Sequence, residues 1–533
     1  MIRFRALLSG LILLTTAAAA AEPVGSRADL VDRLLDRIVA GEQDFLLRMQ
    51  AYQPFMEVYL QSADDVLAGY PGDQYAMGRV GLDRDGVSWT PFTESDGFVG
   101  KGKRSMLDRL LGGKGLLARG FAQKIVPDAF DFDRATYEFS FQRREFLGSV
   151  RTLVFEVQPR TSRPGKFLGR IWVEEEGARI VRFNGTYTGG STKDMFFHFD
   201  SWRVNTAPDF WAPAFIYIQD EDETGALGAH FAAQARLWNY SPARSDEVDE
   251  LTAILVEQAD LDSQEGPEDL TPLEAERKWQ EESQRNVLRR MEQAGLLAPR
   301  GPVDEVAETV VRNLMAANGI ALDMECRVLL TTPLETFSIG QAIVISRGLI
   351  DVLPDEASLA MALSPELAHA VLGHRMDTMY AFSDLTMFED REILDRLRLG
   401  RPADEVSAAS AKAVELLEKS PYADKLTNAG LFLKALASQA PRLPQLIRSN
   451  FGNAVASEER MARLGVLAGA APELDEESLE HIAALPLGSR VRLDPWTNQI
   501  SLRTVKPSEI RTADDKLPFK VTPFVINLKR AGE

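Results

Sequence analysis

The stretch GKFLGRIWVEEEGARIVRFNGTYTG, Gly165–Gly189, followed by FFHFDSWRV, Phe196–Val204, decides how the chain is read. Apolar and polar residues alternate along it in short runs bounded by Gly, Asp and Asn, the period of strands with one buried face. Gly177 sits at the turn of a hairpin running from Val173 to Val181. The same texture extends from about Ala122 to Trp238, in runs such as YEFSF and RTLVFEV. An antiparallel β domain is therefore expected over 122–240. Its aromatic residues, Phe139, Phe141, Phe155, Trp172, Phe183, Phe197, Phe199, Trp202 and Trp211, read as core, with the lining of a ligand cavity as the alternative for some.

Working outward, Leu30, Leu34, Leu35 and Ile38, then Phe45, Leu46, Met49 and Tyr52, recur at helical spacing between Arg27 and Gln61. One or two amphipathic helices are expected there, within an N-terminal helical region at 22–121. Arg3 and Arg5, the apolar run Leu7–Leu14 and the small residues Ala17–Ala21 form a secretory signal, 1–21, with cleavage expected after Ala21. Its apolar run is shorter than the ~18 residues of a membrane span. No later segment is apolar enough to cross a bilayer. The mature protein is expected to be soluble in an envelope compartment, most simply a bacterial periplasm.

Beyond the β domain, 241–301 is an acidic linker broken by Gly266 and Pro267, becoming helical from about Pro272 to Gln293. A mostly helical domain is placed at 302–474, opening with Val306, Val310 and Leu314 on one face and stopping at Gly319. The remainder, 475–533, holds strand-like runs including FKVTPFVINL and is expected to pack back onto an earlier domain. No internal repeat is apparent.

Composition narrows the function. Across 533 residues, 60 Lys+Arg stand against 79 Asp+Glu, a net charge of -19 that disfavours phosphate backbones, so no nucleic-acid partner is expected. The single cysteine, Cys326, cannot form an intramolecular disulfide, a thiolate zinc cluster or a CxxC pair, and reads as a buried small hydrophobe.

The segment Cys326–His374 contains IVISRGLID, Ile343–Asp351, then DEASLAMALSPELAHAVLGH, Asp355–His374, with ASAKAVELLEKSPY, Ala409–Tyr422, downstream. In order and spacing it resembles the zinc metallopeptidase family of HtpX, the CAAX prenyl protease and BepA, over roughly Pro302–Leu436. The resemblance implies a helix carrying HExxH. Two His four residues apart lie about 40° apart on a helix and reach one zinc ion, while the Glu between them holds the metal-bound water as general base. A later Glu completes the ligands and leaves one position open.

At the decisive positions the chain departs from that pattern. It reads Pro365-Glu366-Leu367-Ala368-His369, so only the base, Glu366, and the second ligand, His369, remain, both as vestiges. The other His are His198, His230, His374 and His481. His374, five residues past His369, is expected about 140° round the helix and away from the metal face. The third ligand aligns with Val406, with Ser410 where an Asp usually follows, and Glu405 is about 100° off the required face. A rival placement in ASEERMARLGVLAG makes Glu459 the ligand, with Arg463 in place of the Asp. Inside a helix Pro365 would cost about 3 kcal/mol, so the helix is expected to kink or restart at Ser364, with Ser364 as N-cap and Glu366 a surface or groove residue facing the dipole.

The middle domain loosely resembles the half-barrels of periplasmic lipoprotein carriers, on strand texture alone. The fold expected is α+β and multidomain, a half-barrel-like antiparallel domain followed by a mainly helical metallopeptidase-like domain. The function expected is that of a proteolytically inactive peptidase homologue, an envelope interaction or assembly factor without cofactor. Its partners would be envelope proteins or peptides, with a peptide strand pairing along Ala342–Arg347. Two alternatives stand beside it: an atypical active zinc endopeptidase, which would require zinc, and a lipid or lipoprotein binder working through the middle domain.

Overall fold

The computed structural model describes residues 27–62, 72–91, 120–189, 197–220, 231–240, 271–375 and, with short gaps, 399–531. The expected signal sequence, His230, the linker residues 241–270 and the alternative ligand Glu459 lie outside them. Ten strands form one antiparallel sheet: β1 Phe55–Ser62, β2 Asp73–Asp83, β3 Gly86–Pro91, β4 Tyr137–Leu147, β5 Val150–Pro159, β6 Phe167–Glu174, β7 Ile180–Tyr187, β8 Phe199–Ala207, β9 Phe210–Asp220 and β10 Phe231–Trp238. The order is β3-β2-β1-β10-β9-β8-β7-β6-β5-β4, so β4 to β10 run as a meander and β1 joins at the free side of β10, Phe55 opposite Trp238. With β3 and β4 as its edges the sheet is open. The fold is α+β and multidomain.

Within the region 22–121, expected to be helical, the described residues are helical over α1, Arg27–Met49, and at 120–121, whereas Phe55–Ser62, Asp73–Asp83 and Gly86–Pro91 are strand. Pro54 stops the helical period, and FMEVYLQS alternates at period two, with Met56, Val58 and Leu60 on one face and Phe55 and Tyr59 on the other. The expected hairpin is present between β6 and β7, Val173 opposite Ile180.

Both faces of the sheet are covered. On one, Phe155, Ile171, Phe183, Phe199, Ile216 and Ala235 pack against Leu35, Ile38, Phe45 and Met49 of α1 and against Phe121 and Ile125. The opposite face divides between two covers. Phe55, Tyr59, Tyr75 and Trp238 join the core of the helical domain, while Trp172, Trp202 and Trp211 pack on Leu528 with Phe524 beside them. Of FKVTPFVINL, Val521–Leu528 therefore packs back as expected, but as irregular chain rather than strand. Gly169 and Gly185 face each other across β6 and β7, and a Cβ on Gly169 would lie 2.2 Å from the carbonyl oxygen of Asn184, an approach only glycine permits.

The helical domain contains α2 Pro272–Gln293, α3 Pro302–Asn318, α4 Arg347–Val352, α5 Glu356–Val371, α6 Ala403–Glu418 and α7 Leu426–Gln439. A Thr271/Glu274 capping box starts α2, and Gly319, at φ 64°, ends α3 as expected. Val306 points outward; Val303, Ala307, Val310 and Leu314 form the buried stripe. The small sheet runs β11 (Glu325–Leu329), β13 (Ala342–Ser346), β12 (Glu335–Ile339), β14 (Asn453–Ala454). β13 is thus an interior strand, paired with β11 and β12. The expected edge pairing of a peptide along Ala342–Arg347 is excluded, because both sides of that strand are already bonded. Among the described residues, no helix is long and apolar enough to cross a membrane.

The helical domain docks on the large sheet through a buried junction. Glu57 of β1 accepts hydrogen bonds from Thr332 N (3.0 Å), Thr332 Oγ1 (2.7 Å) and Tyr75 Oη (3.3 Å), and pairs with Arg347. All of these side chains except Thr332 are almost completely buried.

Candidate functional site

The helix carrying Glu366 and His369 begins at an Asp355 cap, whose carboxylate accepts from Ser358 N at 2.8 Å, and runs unbroken through Pro365 to Val371. It does not restart at Ser364. Proline has no amide for the carbonyl of Met361, and Ser364 Oγ donates to that oxygen instead, at 3.1 Å. A rotatable hydroxyl one residue upstream replaces the missing bond, which is why the helix tolerates the ring. Glu366 consequently lies in the helix interior, fully buried rather than at the surface, and its Oε1 accepts from Thr336 Oγ1 of β12 at 2.9 Å.

His374 is not directed away from His369. The helix ends at Val371, Gly373 takes the left-handed conformation at φ 69°, and His374 N donates to the carbonyl of His369 at 3.0 Å. That turn swings the second imidazole back, so that His369 Nδ1 and His374 Nδ1 lie 2.8 Å apart and the ring centroids 5.0 Å apart. His369 is fully buried; His374 is half-buried. The 140° estimate assumed a helix that continues, and this one stops.

Glu405, in the first turn of α6, also departs from its expected place. One ligand atom each from His369, His374 and Glu405 lie within 4.8 Å of one another, and among the described residues this is the single such group of three. Arg401 stands behind it, its Nη1 3.8 Å from Glu405 Oε2 and its Nη2 donating to Ser338 O at 3.3 Å. Burial lowers the Arg401 pKa, while Glu366 and Glu405 act the other way. Val406 is core, and Ser410 Oγ is taken up by the Val406 carbonyl at 2.8 Å. The residues at 365, 369 and 406 do not fit an HExxH-plus-Glu zinc centre: Pro365 and Val406 carry no donor.

A second candidate lies between α1 and the large sheet. Phe167, Phe183, Tyr187 and Phe199 form a chain of ring contacts with centroids 5.3–5.8 Å apart. Arg203 of β8 reaches into this layer and pairs with Glu42 of α1 through two bonds, 2.7 and 2.6 Å, both groups about 1% exposed as side chains. Its guanidinium also sits 3.8 Å from the Phe45 ring centroid. Beside them Lys124 is buried, its Nζ donating to Gly120 O at 2.8 Å and lying 5.6 Å from the Phe199 centroid; burial lowers its pKa to about 7. At the rim Lys166 and Tyr137 both bond Asp128, at 2.8 and 2.7 Å. Burial alone would raise the Asp128 pKa, and these bonds hold it below the usual carboxylate range.

Sequence reasoning missed Glu42, Lys124 and Arg203. For Arg203 a signal existed, because in FDSWRV it keeps the parity of Phe199, which puts it on the α1 side of the sheet. Of the expected aromatic residues, Phe155, Phe183 and Phe199 line this layer, Phe139 and Phe197 border it, Trp172, Trp202 and Trp211 belong to the opposite face, and Phe141 is exposed.

No family model matches the chain, and no curated protein does. Among solved structures it is similar to a LolA superfamily protein from Nitrosomonas europaea, at 12% identity over 40% of this chain and 96% of that one, with a TM-score of 0.25. It is similar also to a DUF1329 family protein from Desulfovibrio piger, at 13% identity over 42% of this chain and 98% of that one, TM-score 0.24. A third is a Vibrio parahaemolyticus domain described as an outer membrane lipoprotein-sorting protein, at 12% identity over 41% of this chain and 97% of that one, TM-score 0.22.

Proposed function

We propose that the chain is an envelope protein, exported to the periplasm, that binds an apolar ligand of the acyl-chain or lipoprotein class on the α1-covered face of its open sheet. The observation that carries this reading is the nature of the cover. Among the described residues no second sheet closes that face; one helix and the segment around Ile125 lie over it, tied down by the buried Glu42–Arg203 pair. Taking two charges out of water costs several kcal/mol per ion, so a buried pair is a poor way to maximise stability and a good way to fix one position of a movable element. An acyl chain gains about 0.8 kcal/mol for each CH₂ it buries. It therefore competes with α1 for the same aromatic layer.

On this reading the helical domain is a peptidase-like scaffold without peptidase chemistry, serving as the contact for envelope proteins or peptides. Glu366, bonded to Thr336 inside the helix core, holds β12 against α5 and is not a water-activating base.

The test is a titration of the full chain with a fluorescent long-chain fatty acid. Saturable uptake is expected, displaced by unlabelled acyl chains and strengthened by Glu42→Gln, which loosens the cover. Absence of saturable signal from both the wild-type chain and the variant would remove the proposal.

A further inference from the structure

The lipid-binding reading makes no use of the triad at the end of α5, and that triad points to a different chemistry. We propose that His369, His374 and Glu405 form a binding site for a divalent transition metal of the zinc class. Two imidazole Nδ1 atoms 2.8 Å apart cannot both carry a proton along the line between them; one donates and the other accepts. A metal ion replaces that shared proton and uses both lone pairs at once. With Zn–N bonds of about 2.0–2.1 Å a tetrahedral centre sets its ligand atoms about 3.3 Å apart, so the rings need to part by about half an ångström and to tilt their lone pairs off the line between them towards a common point. His374 can supply that adjustment because it lies beyond the helix end on the Gly373 turn, where no described atom comes within 4 Å of the Gly373 Cβ position.

The donor set selects the metal class. Two imidazoles and one carboxylate suit zinc, cobalt, nickel or copper, whereas calcium and magnesium require oxygen ligands. Charge points the same way, since Glu405 supplies the anion that neutral imidazoles lack. Arg401, 3.8 Å from Glu405 Oε2, shares that carboxylate and moderates the affinity. Burial decreases from His369 to His374 and Glu405, so among the described residues the triad is more exposed on the side of His374 and Glu405. The site differs from an HExxH centre in its ligands: it uses the residue after the helix in place of the one at 365, and 405 in place of 406.

The experiment is a cobalt titration of the full chain after treatment with a chelator, read by visible absorption and followed by zinc competition. One equivalent of Co²⁺ with tetrahedral bands, displaced by Zn²⁺, is expected. His374→Ala and Glu405→Gln should each weaken binding by about tenfold or more, while His198→Ala and His481→Ala leave it unchanged. Melting of each metal-free variant shows whether it is folded, and His374→Asn replaces His374→Ala if the latter is not. Failure of the wild-type chain to take up Co²⁺ or Zn²⁺ overturns the proposal, as does binding that survives both ligand substitutions. Fatty-acid uptake is read separately, so either proposal can fail alone.

Discussion

Ser364 Oγ donates to the carbonyl of Met361 at 3.1 Å, the acceptor that Pro365 leaves without its helical amide. All three residues are buried, so the bond has no water to replace it. Ser364→Ala should strand that carbonyl and lower stability by about 1–3 kcal/mol. The double variant Ser364→Ala, Pro365→Ala restores the amide and should recover most of the loss. Denaturant unfolding followed by a probe in the helical domain checks both. Equal loss in the single and the double variant would mean that the hydroxyl matters through packing and not through this bond.

The same helix shows where sequence reasoning reached and where it stopped. Local signals transferred well: the hairpin at Val173–Val181, the helix at Pro272–Gln293 and the Gly319 stop each depend on residues within one or two turns. Pairing of β1 with β10 did not, because nothing in FMEVYLQS specifies a partner so distant in the chain. The site failed on a geometric assumption. Extending ideal helix angles past Val371 turned His374 away, although Gly373 is the residue that ends helices in a left-handed turn. Glu405 was set aside for Val406 on helix-face arithmetic, yet Glu405 is the one beside the imidazoles.

Glu42 and Arg203 form the one contact in which α1 and the sheet share a fully buried charge pair among the described residues. Removing one partner leaves the other charged and buried, so Glu42→Ala should cost about 3–5 kcal/mol. The loss should be accompanied by faster amide exchange in α1 than in β8. Uniform exchange through both elements would show that α1 does not open separately from the sheet.

Lys124 gives the α1-covered face a pH dependence. Its pKa is lowered by burial from 10.5 to about 7 in the folded chain. Between about pH 7 and 10 the unfolded chain carries a proton on this amine that the folded chain lacks, so stability rises with pH across that window. Below pH 7 both states are charged, and the full penalty of the buried ammonium is present. Lys124→Met should flatten the rise in thermal or denaturant stability between pH 7 and 10. An unchanged slope in the variant would assign the dependence to other groups.

Glu57 links the two bodies, and its removal should separate them. It takes hydrogen bonds from Thr332 N, Thr332 Oγ1 and Tyr75 Oη and an ion pair from Arg347, which itself donates to Thr332 Oγ1 at 2.7 Å and to Leu330 O at 3.2 Å. Glu57→Gln keeps the shape but puts an amide N–H donor where a carboxylate oxygen accepted, leaving donor facing donor and the Arg347 charge uncompensated at the junction. Calorimetry should then resolve two transitions where the wild-type chain gives one, the lower belonging to the helical domain. Arg347→Met with Glu57→Leu removes both charges together and should restore much of the coupling, since an apolar replacement of a buried pair is often neutral. If Glu57→Gln still melts in a single transition at the wild-type temperature, the bodies are held together by Phe55, Tyr75 and Trp238 packing rather than by this network.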